Sequence, residues 1–136
     1  MSLRGFATLN IWADDVAAAA DWYAGFLGVP PYFERPGPEG RPAYIEFRLG
    51  DHHDELGIID RRYAPPAATG GPGGAIMHWH VDDLDATVAR LLELGATPYE
   101  PITARGEEFV TASVVDPFGN VLGVMTNPNW LSQVGG

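Results

Sequence analysis

The sequence predicts an α+β fold: two βαβββ modules in tandem, with curved mixed sheets that form a cup. Three observations predict it. The stretch Ile76-Met77-His78-Trp79-His80-Val81-Asp82-Asp83 alternates in character and ends on an Asp pair. Successive strand residues point to opposite faces, so Met77, Trp79 and Val81 form an apolar face and Ile76, His78 and His80 a mixed one. Thr8-Leu9-Asn10-Ile11-Trp12-Ala13-Asp14-Asp15 repeats the design, with His80 lying 68 positions after Trp12. Further blocks recur in the same order. Leu27-Gly28-Val29-Pro30-Pro31-Tyr32 matches Leu94-Gly95-Ala96-Thr97-Pro98-Tyr99, and Leu56-Gly57-Ile58-Ile59 matches Leu122-Gly123-Val124-Met125. A period this long is not that of a solenoid; it marks two copies of one half-domain.

Each element has its own reason. Gly5 to Ala13 reads as the first strand. Asp14 or Asp15 caps a helix through about Phe26, because a short acceptor side chain satisfies the first free N–H groups. Val16, Ala19, Ala20, Tyr23 and Leu27 recur at helical spacing and form its buried stripe. Gly28 ends it. Val29 to Arg35 is a second strand with prolines at its start, where a missing N–H is tolerated. Pro36 to Pro42 is a loop. Ala43 to Leu49 alternates, with Ile45, Phe47 and Leu49 opposite Tyr44, Glu46 and Arg48. Gly50 to Asp54 is a polar turn and Glu55 to Asp60 the fourth strand. The second module repeats this order. Asp82 or Asp83 caps a helix to Leu94, with Leu84, Val88, Leu91 and Leu92 as its stripe and Gly95 as its stop. Strands follow at Thr97 to Ile102, Glu108 to Val115 and Val121 to Thr126. Thr103 to Gly106 is a loop, and Asp116-Pro117-Phe118-Gly119-Asn120 is a turn. Residues 5–60 thus form the first module, 61–74 a Pro/Gly/Ala-rich connection, 75–127 the second module and 128–136 a tail carrying Trp130, all within a single domain of 1–136. The helices cover the apolar strand faces and leave the mixed faces to the cup.

Composition narrows the chemistry. A chain of 136 residues with 46% apolar residues is long enough to bury a core. Its formal net charge is −10, and no cationic cluster exceeds Arg61-Arg62, which argues against nucleic acid and anionic membrane as partners. No basic-then-apolar leader and no long apolar run is present, so the expectation is a cytoplasmic protein. With no Cys there is no thiolate nucleophile, disulfide or Cys-bound metal. All 8 cations are Arg, so no Lys can form a Schiff base. Ser2, Ser113 and Ser132 lie in no Gly-x-Ser-x-Gly elbow. Gly70 to Gly74 lacks the Lys and flanking strand of a phosphate loop.

The element order, the D-P-F-G-N turn at 116–120 and the Leu-Gly landmarks resemble the vicinal oxygen chelate superfamily. That group includes glyoxalase I, bleomycin-resistance proteins and extradiol dioxygenases. The resemblance spans about Gly5 to Asn127 and implies the glyoxalase/bleomycin-resistance/dioxygenase fold. It also implies a homodimer with strands meeting edge to edge. In the metalloenzymes of the family, four cup-facing positions bear His, Gln or Glu ligands. They fall here on Thr8, Gly57, Ile76 and Gly123. Three of these have no donor side chain and Thr8 offers a neutral hydroxyl, so the family's metal does not carry over.

The candidate chemistry lies on the mixed strand faces. His78 and His80 share a face, roughly 6.5–7 Å apart along the strand. The metal reading sets both imidazoles on one ion, with Glu46 or Glu55 as third ligand. The plainer reading makes them hydrogen-bonding groups of the cup. As a catalytic group, His78 suits proton transfer near neutral pH, oriented by Asn10, with His80 and Glu46 as further candidates. Gly57 and Gly123 interrupt strands where Gly is unfavourable. They mark either close packing or space for a ligand. Trp12 and Tyr44 suit a flat organic molecule, and Arg48 either meets its carboxylate or pairs with Glu46. Trp22 and Trp79 fall on core registers, and His52 and His53 in a solvated turn. The expected ligand-binding set is therefore Thr8, Asn10, Trp12, Tyr44, Glu46, Arg48, Gly57, Ile76, His78, His80 and Gly123. The expected function is binding of a small organic molecule without metal or other cofactor, as in sequestration of a toxic or antibiotic compound. The alternative is a glyoxalase-like lyase, isomerase or dioxygenase with a divalent metal displaced to His78/His80 and a carboxylate.

Overall fold

The computed structural model describes residues 2–66 and 71–135. Two compact units divide the chain, Met1–Thr69 and Gly70–Gly136. The boundary falls inside the expected connection, of which residues 67–70 lie outside the described residues.

In the first unit the order is β1 (Thr8–Ala13), α1 (Val16–Leu27), β2 (Phe33–Pro36), β3 (Pro42–Leu49) and β4 (Asp54–Asp60). The sheet order is β1-β4-β3-β2, with β1 parallel to β4 and the other pairs antiparallel. The second unit repeats it as β5 (Met77–His80), α2 (Leu84–Glu93), β6 (Thr97–Gly106), β7 (Phe109–Val115) and β8 (Val121–Thr126), in the order β5-β8-β7-β6. A third helix, α3 (Pro128–Gln133), closes the chain.

Both caps form as the Asp pairs predict, and in each pair the second Asp serves. Asp15 accepts from the Ala18 N–H and Asp83 from the Ala86 N–H, each at 3.0 Å. Gly28 stops α1 in the left-handed conformation. After α2 the Gly95 N–H reaches Leu92 O and the Ala96 N–H reaches Leu91 O, the paired bonds of a Schellman ending.

Burial follows the predicted faces. In the first unit Val16, Ala19, Ala20 and Tyr23 of α1 are buried, as are Ile11, Ala13, Ile45, Phe47, Leu56 and Ile58 of the sheet. In the second, Leu84 and Leu91 of α2 are buried with Ala112, Val114, Leu122 and Val124. Both Asn10 and His78 lie on the faces opposite this core, since they pair with Gly57 and Gly123, whose strand neighbours Leu56, Ile58, Leu122 and Val124 are the buried ones.

Several boundaries differ from the sequence reading, each for a pairing reason. β1 begins at Thr8 rather than Gly5, because Thr8 pairs with Glu55 near the start of β4. β5 begins at Met77, leaving Ile76 just outside it, because Met77 is the first residue with a partner on β8. β2 is short: Pro30 and Pro31 carry no N–H, and pairing starts where the Tyr32 N–H meets Glu46 O at 2.7 Å. Residues 103–106 are not a loop but the end of β6, which stays paired to β7 through three register shifts. Leu92 is 40% exposed rather than buried, since it lies one residue, hence about 100°, round the helix from Leu91. Trp22 and Trp79 are half-buried rather than core. Trp22 packs edge-on to Tyr23 at 4.8 Å.

The D-P-F-G-N turn is held by one buried carboxylate. Asp116, 3% exposed, accepts from the Phe118 and Asn120 N–H groups at 2.9 Å and from the Asn120 amide. Asp116→Ala orphans these donors and should lower unfolding stability by about 2–4 kcal/mol. Urea denaturation checks this, with an unchanged midpoint counting against it.

Candidate functional site

Both polar faces are built around a glycine. On the first sheet Asn10, Gly57 and Glu46 stand side by side on β1, β4 and β3. On the second, His78, Gly123 and Ser113 stand side by side on β5, β8 and β7. Both glycines are buried. The side chains beside them explain it. A Cβ at Gly57 would collide with Asn10 Oδ1 and would lie 2.6 Å from Tyr44 Cε1 and 2.8 Å from its hydroxyl. A Cβ at Gly123 would collide with the Met77 carbonyl oxygen and lie 2.8 Å from His78 Cδ2. The glycines do make space, but the protein's own side chains fill it. Of the two readings of these residues, close packing is what the structure has.

On the first face the Tyr44 hydroxyl, lying beside Gly57, donates to Glu46 Oε1 at 2.7 Å. Burial first, then the Glu46 carboxylate as acceptor and as charge, then Glu55, push the Tyr44 phenol up to about 12; a hydrogen bond with Thr8 acts in the other direction. Arg48 pairs with acids, as the second of its two readings has it. Its guanidinium lies 3.3 Å from Glu55, 3.8 Å from Glu46 and 3.8 Å over the Tyr32 ring. Trp12 is half-buried on the same face. Seven of the expected residues therefore share this face: Thr8, Asn10, Trp12, Tyr44, Glu46, Arg48 and Gly57. Glu55 and Tyr32 join them, and neither was in the expected binding set. Strand parity gave Glu55; nothing in the sequence placed Tyr32 under Arg48.

On the second face His78 is exposed and rests on Gly123. His80 turns elsewhere. Its Nδ1 accepts the Asn127 N–H at 3.0 Å, and its ring stacks on Trp130 at 5.0 Å. A nitrogen that accepts carries no proton, so the ring hydrogen is assigned to Nε2, which faces Asp82 at 3.5 Å. Both nitrogens are thus engaged, and His80 has no lone pair left for a metal. Beside Gly123, the buried Ser113 hydroxyl donates to Glu100 at 3.0 Å. Arg105 bonds Thr111 at 3.1 Å. The sequence reading missed Ser113, Glu100 and Asn127. Register alternation along β7 was the available signal for Ser113. His52 and His53 are exposed in their turn.

The four positions at which the resemblance places metal ligands offer a poor donor set. Gly57 and Gly123 lack side chains, Ile76 is apolar, and Thr8 is a neutral hydroxyl. Among the described residues no three His, Cys, Asp or Glu side chains converge as a metal site.

Two outcomes follow from this packing. Gly123→Ala meets backbone, which cannot swing away, and should cost about 1–3 kcal/mol. Gly57→Ala meets side-chain ends that can move, and should cost less but displace Tyr44. Thermal unfolding of both variants checks the order. The second outcome is a late-titrating tyrosine. Because the folded phenol lies above its unfolded value, the stability it gives is complete below about pH 10 and is lost as pH rises towards about 12. Ultraviolet titration should show a tyrosine ionising near pH 12 that Tyr44→Phe removes.

No curated protein matches the chain. Solved structures similar to it include TnmS3, an antibiotic binding protein from Streptomyces sp. CB03234. That protein is 25% identical over 93% of this chain and 98% of its own, with a TM-score of 0.68. A glyoxalase-related enzyme from Fulvimarina pelagi is 21% identical over 93% of this chain and 90% of its own, with a TM-score of 0.71. Lactoylglutathione lyase from Agrobacterium tumefaciens is 20% identical over 95% and 98%, with a TM-score of 0.69. Residues 5–124 match the family model of the Glyoxalase/Bleomycin resistance protein/Dioxygenase superfamily, and with both βαβββ units in place the chain belongs to that superfamily.

Proposed function

We propose that this protein binds a small organic molecule on the polar faces of its sheets and does so without the metal of the family's enzymes. One observation carries the reading. Where a metalloenzyme of the family needs donor side chains, this chain has two glycines whose overlying space is taken by Asn10, Tyr44 and His78. What remains on the first face is aromatic and hydrogen-bonding surface: Trp12, Tyr44 and the exposed Asn10 amide. Such surface holds flat organic molecules by stacking and a few directed bonds. The likeness to an antibiotic binding protein supports the same reading. Sequestration of a toxic or antibiotic compound is the role that fits it. A homodimer belongs to this proposal. Phe33 on edge strand β2, and Tyr99 and Ile102 on edge strand β6, expose large apolar surface that a second chain would cover. Among the described residues no helix is long and apolar enough to cross a membrane.

Trp12 reports on binding. Titration with flat aromatic compounds, anilinonaphthalene sulfonate first, should change tryptophan emission saturably, and Trp12→Phe should remove most of the change. Emission that no compound alters, or a change that survives Trp12→Phe intact, contradicts binding on this face. Light scattering should give a particle of twice 14.6 kDa, and a monomer at micromolar concentration would remove the dimer from the proposal.

A further inference from the structure

The second unit holds a cavity of about 410 Å³ where β5 and β8 end against α3. That volume lies within the range of organic-ligand sites, roughly 300–1,000 Å³. Val81, Pro128 and Leu131 give it apolar walls, and His80 gives it a flat polar one. The His80 ring is fixed on both sides. Its Nδ1 is tied to the Asn127 N–H at 3.0 Å, its face lies on Trp130 at 16° to the indole plane, and its side chain is only 9% exposed. A ring so held is a preformed wall that loses little freedom when a ligand packs on it.

The charges at this cavity have one sign. Asp82 and Glu108 both line it. The Asp82 side chain is 96% exposed and lies 3.5 Å from His80 Nε2. Among the described residues neither carboxylate is paired with an arginine, unlike Glu46, Glu55 and Asp60. Glu108 is held at the rim, because its carbonyl oxygen accepts the Thr126 hydroxyl at 2.8 Å and so ties the β6–β7 turn to β8. The protein's formal charge of −10 adds a field that draws cations.

We propose that this cavity is a site for an organic ammonium compound, its apolar body against His80, Pro128 and Leu131 and its cation between Asp82 and Glu108. A bare metal ion does not suit it, since His80 has no free lone pair there. The inference goes beyond the binding reading above: it adds a separate place, in the second unit, and one ligand charge.

The indole N–H signals of Trp130 and Trp12 in a nitrogen-15 NMR spectrum test it, with phenylethylammonium as probe and phenylpropionate as a control of like shape and opposite charge. The ammonium should shift the Trp130 signal saturably and the carboxylate should not. The Asp82→Asn/Glu108→Gln double variant should weaken the ammonium's binding by at least about tenfold. Both positions are exposed, and Asp83, not Asp82, caps α2, so the variant keeps its fold. Equal shifts from both probes, or binding that the double variant leaves unchanged, overturn the proposal. A Trp12 response with a silent Trp130 overturns this cavity but leaves organic binding standing. Silence at both signals overturns the cavity and counts against the binding reading as well.

Discussion

The missing Cβ atoms of Gly57 and Gly123 are the constraint on which both polar faces depend. Each glycine sits in β4 or β8, with a neighbour strand on either side. In that place an ordinary residue would project a side chain from the middle of the face. Here the projection is absent, and the flanking side chains lie down across the gap. Tyr44 meets Glu46 beside Gly57, and His78 covers Gly123. Strand glycine costs backbone entropy, roughly 0.5–1 kcal/mol each. Packing and hydrogen bonds of the overlying groups offset that cost.

The proposed chemistry rests on the same arrangement. A carboxylate at Gly57 or Gly123 would compete for the space that Tyr44 and His78 now hold. Glu46 is the nearest carboxylate on the first face, yet it accepts from Tyr44 and pairs with Arg48. Glu100 on the second face accepts from Ser113 and lies 3.8 Å from Arg105. Each acid is committed to a local partner. His80 is committed as well, through Asn127 and Trp130. These are surfaces of satisfied groups, which suit recognition of an organic molecule better than capture of an ion.

Much of this was legible in the sequence. The Asp pairs placed both helix starts, alternation placed both strand faces, and the internal repeat paired Asn10 with His78 before any contact was known. Three things were not legible, each because it depends on a distant partner. The extent of β6 through 103–106 is set by β7, whose register slips have no signature in the β6 residues themselves. The direction of His80 is set by the Asn127 N–H, 47 positions away. The third, occupancy of the space over the glycines, needs the reach of Tyr44 across its strand neighbours. The tail is a different case: Asn127-Pro128 is a helix-start signal, with Asn127 accepting from the Trp130 N–H at 3.0 Å, but a helix of 6 residues is too short to carry a periodic apolar pattern.

The central proposal is that protein side chains, and not a metal ion, close the two polar faces. Elemental analysis of the purified protein, after dialysis against a weak chelator, tests it most directly. The account predicts well under one equivalent of zinc, nickel, manganese or iron, because the four family positions supply at most one weak donor where a cation needs three or four. Near-stoichiometric metal that is lost in His78→Ala would contradict the account, since it would place an ion where His78 is described as lying over Gly123.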